Sequence, residues 1–288
     1  MWSFRISPNH PLSLRAAAKA RNDILFFTMK NSVFTHLSSH PWKNTIQFFD
    51  TIDSTNTRAK LLAAQGAPHG TVLIADHQTG GRGRLGRTFL SPAGTGVYMS
   101  VILRPNCPPA EIMHLTCASA VAACDAVEKA VGIRPGIKWT NDLVHSDRKL
   151  AGILTELGLS PRGMVDWAVI GIGINCLQTV DDFDPAIRSF AGSLAMFAPC
   201  DRATVAAALI EAFSEMDLSK KTDIMARYRS DCITIGREVS LLRGTDPVRH
   251  GRAVDIDADG ALIVEFAPGI REVVNSGEIS VRGMYGYV

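Results

Sequence analysis

The sequence has six cysteines but no C-x-x-C pair, and eight histidines but no H-E-x-x-H. The usual spacings of a zinc site are therefore missing, and no metal ligands are assigned. Cys107, Cys117, Cys124, Cys176, Cys200 and Cys232 are scattered, and Cys117 and Cys124, seven apart in a helical pattern, read as core thiols of a reducing compartment. No uninterrupted apolar run approaches the roughly 18 residues of a membrane span, so the chain is expected to be soluble and cytoplasmic, with no membrane partner. Charge excess is lacking too: 30 basic against 28 acidic residues leave +2, too little to argue for a nucleic-acid or membrane-surface protein as a whole. There is no G-x-x-x-x-G-K-[ST], no H-R-D and no D-F-G, which excludes P-loop and protein-kinase readings. Ahead of Asp23 there is no acidic residue, while Arg5, Arg15, Lys19 and Arg21 stand among serines. Transit peptides share that composition, and Met29 would open a shorter chain. We read residues 1–44 as a poorly ordered extension, with 1–28 dispensable.

What is present becomes regular after residue 45. "DSTNTRAKLLAAQG" offers Asp53 or Ser54 as N-cap and Gly66 as stop of a three-turn helix. "TVLIAD" (71–76) and "GVYMSVILRP" (96–105) read as strands, and 111–132 as a long amphipathic helix closed by Gly132. Strands are expected at 136–142 with continuation to His145, at 149–157 and at 167–175, with a hairpin turn at Ser146–Arg148. Helical patterns cover 185–197, 204–216 and 223–229. After Gly236 short alternating runs separated by "RGTD", "DADG", "APG" and "NSG" predict a small all-β unit. The division is thus 1–44, a catalytic domain at 45–235, and 236–288.

Between the first two strands lies "TGGRGRLGRTF" (79–89), with four glycines and three arginines. "GRGRLG" satisfies G-x-G-x-x-G, but a dinucleotide fingerprint must open a helix, and Ser91, Pro92, Gly94 and Gly96 follow instead. An anion site needs no helix: glycines let successive N–H groups form a nest, and Arg82, Arg84 and Arg87 add forked donors. Taken alone, the loop favours an anion site over the alternatives of a solvated basic segment or an RNA-binding module.

Three other segments decide between these. "DSTN" precedes the loop, "KWTNDLVHSDRKLAGILTE" follows it, and "GIGIN" comes last. The ordered set, with Gln78–Arg87 as Q-x-x-G-R-G-R-x-G-R, resembles the biotin-protein ligases over about residues 45–285. "GREVSLL", "GRAVDIDADGALIVE" and "NSGEISVR" are similar to that family's C-terminal segment. The resemblance implies an α/β (α+β) fold: a mixed-sheet catalytic domain of the biotin/lipoate ligase type, then a small SH3-like β-barrel. It implies ATP and Mg²⁺ as cofactors, biotin as substrate, and a biotin carboxyl carrier domain as partner. No DNA is expected, because 44 residues without a helix-turn-helix pattern cannot hold a winged helix; the protein would be a monomer or homodimer.

The family joins the biotin carboxylate to the ATP α-phosphate and passes biotin to a lysine. Two anions must meet, which requires cationic donors placed beforehand. By resemblance, Ser54, Thr55, Asn56, Gln78, Arg82, Gly83, Arg84 and Lys149 bind biotin. Arg82, Arg84, Arg87, Lys138, Asn141, Lys149 and Asn175 bind ATP or the adenylate, with Lys138 alternatively a strand-flanking residue. Lys149, Asp142 and Arg84 are the catalytic set: Lys149 holds acyl and phosphoryl oxygens, and Asp142 receives the incoming lysine ammonium and helps deprotonate it. Ser54 and Thr55 also suit plain helix capping. Two positions depart from the family: Phe89 stands where tryptophan is usual, and Thr140 where proline is frequent, there altering only strand stiffness. A lipoate or octanoate ligase of the same catalytic fold is the nearest rival, but its arginine, glycine and histidine signature is absent.

Overall fold

A computed structural model describes residues 11–242, 247–275 and 280–283, with the side chains of 20–242 and 247–275. The turn expected at 243–246 and all but the first residue of that at 275–277 lie outside them. From residue 11 on, the segment ahead of residue 45 is not a loose extension. Helix α1 (Pro11–His36) buries Phe26, Met29 and Val33, with Leu37 just past its end, at 5% exposure or less, spaced three and four apart so that they form one stripe. The stripe packs on helix α4 (Arg202–Ser214), and Phe26 and Phe34 meet Phe48 edge-on at 5.9 and 5.4 Å. Each such side chain contributes about 1.5–3 kcal/mol of burial, so residues 1–28, which include Phe26, are not all surplus to the fold. The basic, serine-containing composition hid this stripe.

Seven strands form the main sheet: β1 (Ile46–Ile52), β2 (Thr71–Gln78), β3 (Gly96–Leu103), β4 (Gly136–Lys138), β5 (Asp142–His145), β6 (Arg148–Leu159) and β7 (Val165–Asn175). Their spatial order is β1-β2-β3-β7-β6-β5-β4. β1 and β2 are parallel, joined through helix α2 (Thr55–Ala64), and the remaining neighbours are antiparallel. β3 is buried along its whole length, as its apolar run, interrupted only by Ser100, requires of a central strand.

Alternation assigns the two faces. Val72, Ile74, Val101, Ile170, Ile172 and Ile174 enter the large core shared with α1, α4 and helix α3 (Leu115–Val131). Leu73, Ile102 and Val169 face the other way, under Ala59 and Ala63 of α2. By the same alternation Tyr98 and Ser100 of β3, and Gly171, Gly173 and Asn175 of β7, lie on the α2 side.

Three expectations are corrected. The helix at 111–132 is a 3-10 turn (Pro109–Ile112) followed by α3. By length and composition Pro109–Val131 is apolar enough to cross a membrane, contrary to the reading of short runs, yet 72% of its most apolar window is buried inside the protein. The strand at 136–145 is two short antiparallel strands, because Trp139 N donates to Thr234 Oγ1 and Thr140 O accepts from Tyr228, which draws the chain into a turn; Thr140 therefore lies outside the strands. The helix at 185–197 is reduced to a 3-10 turn at Leu194–Met196: Lys149 N donates to Phe190 O, Gly192 N to Lys149 O, and Arg148 to the carbonyls of Arg188 and Ala191, which holds the segment against the start of β6.

Helix α5 (Lys221–Asp231) leads into a second, antiparallel sheet of β8 (Glu238–Leu242), β9 (Arg249–Ile256), β10 (Leu262–Ala267), β11 (Ile270–Val274) and β12 (Ser280–Gly283), ordered β11-β10-β9-β8-β12. It rests on the first unit: Trp139 Nε1 donates to Gly260 O (2.9 Å) and Arg229 Nε to Ile256 O (2.7 Å).

Candidate active site

The N-terminus of α2 begins a row of buried, uncharged polar groups. Ser54 caps the helix, accepting from Thr57 N at 3.5 Å. Gln78 Oε1 accepts from Thr55 N (2.8 Å) and Thr55 Oγ1 (3.1 Å), and Gln78 Nε2 donates to Ser91 Oγ (2.8 Å). Ser100 Oγ lies 2.8 Å from Thr55 Oγ1 and 2.6 Å from Asn56 Oδ1, while Asn56 Nδ2 donates to Leu154 O and Glu156 Oε2. Gly171 makes the row possible, because a Cβ there would stand 1.9 Å from Asn56 Oδ1.

Next along β7, Gly173 gives the same clearance to Phe89, whose ring would lie 2.4 Å from a Cβ. Phe89 stacks edge-on against Tyr98 at 6.4 Å. One residue pair further, Asn175 reaches an open cleft of about 770 Å³. Residues two apart on one strand face are about 6.7 Å apart. Cleft, Phe89 and polar row are thus consecutive stations on a single face.

The cleft gathers Gly83, Arg84, Arg87, Lys138, Asn141, Asp142, Lys149 and Asn175 among apolar walls that include Phe89, Ile153 and Phe190. Lys149 Nζ lies 2.6 Å from Asp142 Oδ1, with 28% and 15% of the two side chains exposed. Arg84 Nη1 donates to Asn141 Oδ1 (2.8 Å), and Asn141 Nδ2 donates to Ile153 O (2.8 Å). Asn175 Nδ2 donates to Gly192 O and its Oδ1 accepts from Gln178 Nε2. Burial pulls the Arg84 guanidinium below its ordinary value, with the Asp142 charge opposing.

Ser54, Thr55, Asn56, Gln78 and Arg82 do not line this cleft. The first four form the polar row behind Phe89, and Arg82 points to Glu156 at 3.5 Å. The expected nest is also revised. Gly80 N, Gly83 N and Phe89 N already donate to backbone carbonyls, and Arg82 bridges Thr88, so the loop is a closed hairpin. Its arginine side chains, rather than these amides, are what it offers an anion.

Glu156 and Ser100 escaped the sequence reading. Glu156 binds Asn56, Lys60 (2.6 Å) and Arg82. Burial pushes its pKa up, but the hydrogen bonds from Lys60 and Asn56 and the charges of Lys60 and Arg82 outweigh that and hold it below the ordinary value. A carboxylate one residue short of the end of the mostly apolar "KLAGILTEL" was the available signal.

Residues 48–175 match the biotin/lipoate A/B protein ligase family, and residues 234–282 match the biotin protein ligase C terminal domain. The bifunctional ligase/repressor BirA of Bacillus subtilis is 36% identical over 235 residues, covering 80% of this chain and 72% of that protein. The chain belongs to the biotin protein ligase family. Another relative, the biotin--[acetyl-CoA-carboxylase] ligase of Mycobacterium tuberculosis, is 34% identical, with 78% of this chain and 85% of that one covered. Among solved structures, the biotin protein ligase from Aquifex aeolicus in complex with biotin and ATP is similar at a TM-score of 0.70 and 30% identity, covering 83% of this ligase and 98% of that chain.

Proposed function

We propose that this biotin protein ligase joins biotin to ATP, forming biotinyl-5'-AMP and pyrophosphate, and then transfers biotin to a lysine of a biotin carboxyl carrier domain. The observation that carries the reading is the order of stations along β7: a neutral row of hydroxyls and amides at one end, and paired cations and a carboxylate at the other. Biotin's ureido ring is neutral, with one acceptor and two donors, and matches the first. Its carboxylate meeting the α-phosphate matches the second. A ligand spanning both displaces the Phe89 ring.

In the first step a biotin carboxylate oxygen attacks the α-phosphorus and pyrophosphate leaves; Arg84 and Lys149 face the negative charge concentrated there, with Asn175 oriented by Gln178 and Gly192 toward the nucleotide. To serve the ligand, Lys149 exchanges Asp142 for ligand oxygens. That exchange leaves the Asp142 carboxylate for the acceptor lysine, which arrives as an ammonium with a pKa of about 10.4. Loss of a proton lets the amine attack the acyl carbon, and AMP departs with the bridging oxygen. Lys138, Asn141 and Arg87 complete the nucleotide side. Asn56 ties the row together, its Oδ1 bonded to Ser100 and its Nδ2 to Leu154 O.

Among the described residues no three metal-ligating side chains converge. Mg²⁺ therefore fits as an ion carried by the nucleotide phosphates, with Asp142 and Asp147 the carboxylates lining the cleft. When bound, it masks the charge of the leaving pyrophosphate.

We further place the domain boundary near residue 235 and the protein in the cytoplasm. Among the described residues a single α-helix precedes β1. Exchange of labelled pyrophosphate into ATP, dependent on biotin, is the deciding assay. Exchange supported by lipoate and not by biotin would overturn the reading in favour of a lipoate ligase.

A further inference from the structure

The turn at Ser91–Gly96, just beyond the glycine-arginine loop, ends on two buried charges. Arg202, the first residue of α4, is 5% exposed and Asp76, near the end of β2, is 4% exposed. Arg202 Nη2 donates to Asp76 Oδ1 at 2.7 Å, and Arg202 Nε donates to Gly96 O at 2.7 Å. The same Asp76 oxygen accepts from Gly94 N at 3.1 Å. Both ends of the Gly94–Gly96 span are therefore held by one ion pair.

From this span the structure runs to both sides of the cleft. On one side Gln78 holds Ser91 through its backbone N (3.1 Å) and Nε2 (2.8 Å), and Tyr98, stacked on Phe89, donates to Pro92 O (3.0 Å). On the other, Thr95 O accepts from Cys176 N (3.2 Å) and Leu177 N (2.8 Å), the two residues after Asn175. Neither Asp76 nor Arg202 lines the cleft. A buried ion pair is a poor device for stability alone, because apolar residues of similar volume commonly do as well or better. What a guanidinium adds is a fixed fork that addresses a carboxylate and a carbonyl in one orientation.

We propose that Asp76 and Arg202 are positioning residues for the ligase reaction, fixing the Ser91–Gly96 turn and through it the spacing between Phe89 and Asn175. The inference rests on the ligase reading, so the wild-type protein is assayed first for biotin-dependent pyrophosphate exchange. If it shows none, the ligase reading fails and the inference with it; if it exchanges, the variants report on the pair alone. The double variant Asp76→Leu/Arg202→Met leaves no lone buried charge and is expected to melt near wild type. Release of biotinyl-adenylate from it is expected to speed up about tenfold or more, while attack of the acceptor lysine on adenylate still bound changes by less than about threefold. A double variant that melts like wild type and releases adenylate at the wild-type rate would overturn the proposal. Should it fail to fold, Arg202→Lys decides. It keeps the charge beside Asp76 and loses the second arm to Gly96, so faster amide exchange at Gly94–Gly96 should accompany faster adenylate release. Unchanged release would again overturn the proposal.

Discussion

The buried polar row and the open cleft lie on the same face of β7, four residues apart, and are built on opposite principles. Around Gly171 the groups are neutral, almost fully buried and bonded to one another. Around Asn175 they include charges, and Lys149 and Asp142 pair with each other before any ligand arrives. A neutral ring can be recognised by donors fixed in advance, since a satisfied buried network is rigid and nothing in it has to move. Anions that react need cations able to change partner, which the sheet cannot supply and a loop and strand ends can. Phe89 stands at the frontier between them.

If the cleft carries the chemistry and the row only recognition, the largest losses should come from the cleft. Lys149→Met removes the ammonium expected to meet both acyl and phosphoryl oxygens. Pyrophosphate exchange should fall by about a hundredfold or more, with thermal unfolding little changed; exchange within a few-fold of wild type would break the division of labour. Asp142→Asn comes next. Transfer from purified biotinyl-adenylate in a single turnover should slow by about a hundredfold, more than exchange does. Equal loss in both half-reactions would instead assign Asp142 to the nucleotide. Arg84→Ala should weaken adenylate retention about tenfold, from a lost charge-assisted contact of roughly 1.5–3 kcal/mol. It should melt near wild type, because Arg84 is a half-buried residue of a mostly exposed hairpin outside the core.

Both halves of this comparison were legible in the sequence to different degrees, and the difference is one of range. The Ser54 cap, Gly66 and the Ser146–Asp147 turn are local chemistry, and the structure has them. The cleft residues came from the resemblance to the family, which short motifs carry and which is also local. Partners far apart in the chain were not readable: Asp76 meets Arg202 across 126 residues, and Glu156 reaches Asn56 across 100. The same limit explains the missing helix at 185–197. Its pattern was apolar enough, but pairing of Phe190 and Gly192 with Lys149 took the backbone groups a helix would have used. The nest was missed for another reason, a local one: Gly83 N and Phe89 N donate to carbonyls within the loop itself, and Gly80 N to Asp53 O.

The smallest expected effect concerns Glu156, which joins the two regions by binding Asn56 of the row and Arg82 of the loop. Glu156→Gln keeps an acceptor for Asn56 Nδ2 and removes the charge facing Lys60 and Arg82. The charged contacts are part-exposed, so the loss in stability should be only about 0.2–1 kcal/mol. Its pH dependence is the sharper test. The folded-state pKa of Glu156 lies below the ordinary value of 4.5, so the carboxylate's contribution is fully present above that value and disappears as pH falls through the folded-state pKa. The difference in melting temperature between wild type and Glu156→Gln should therefore be constant from about pH 8 to 5 and shrink below about pH 4.5. A difference that grows on acidification would mean that burial, not the cations, dominates at Glu156, and that it belongs with the polar row rather than with the loop.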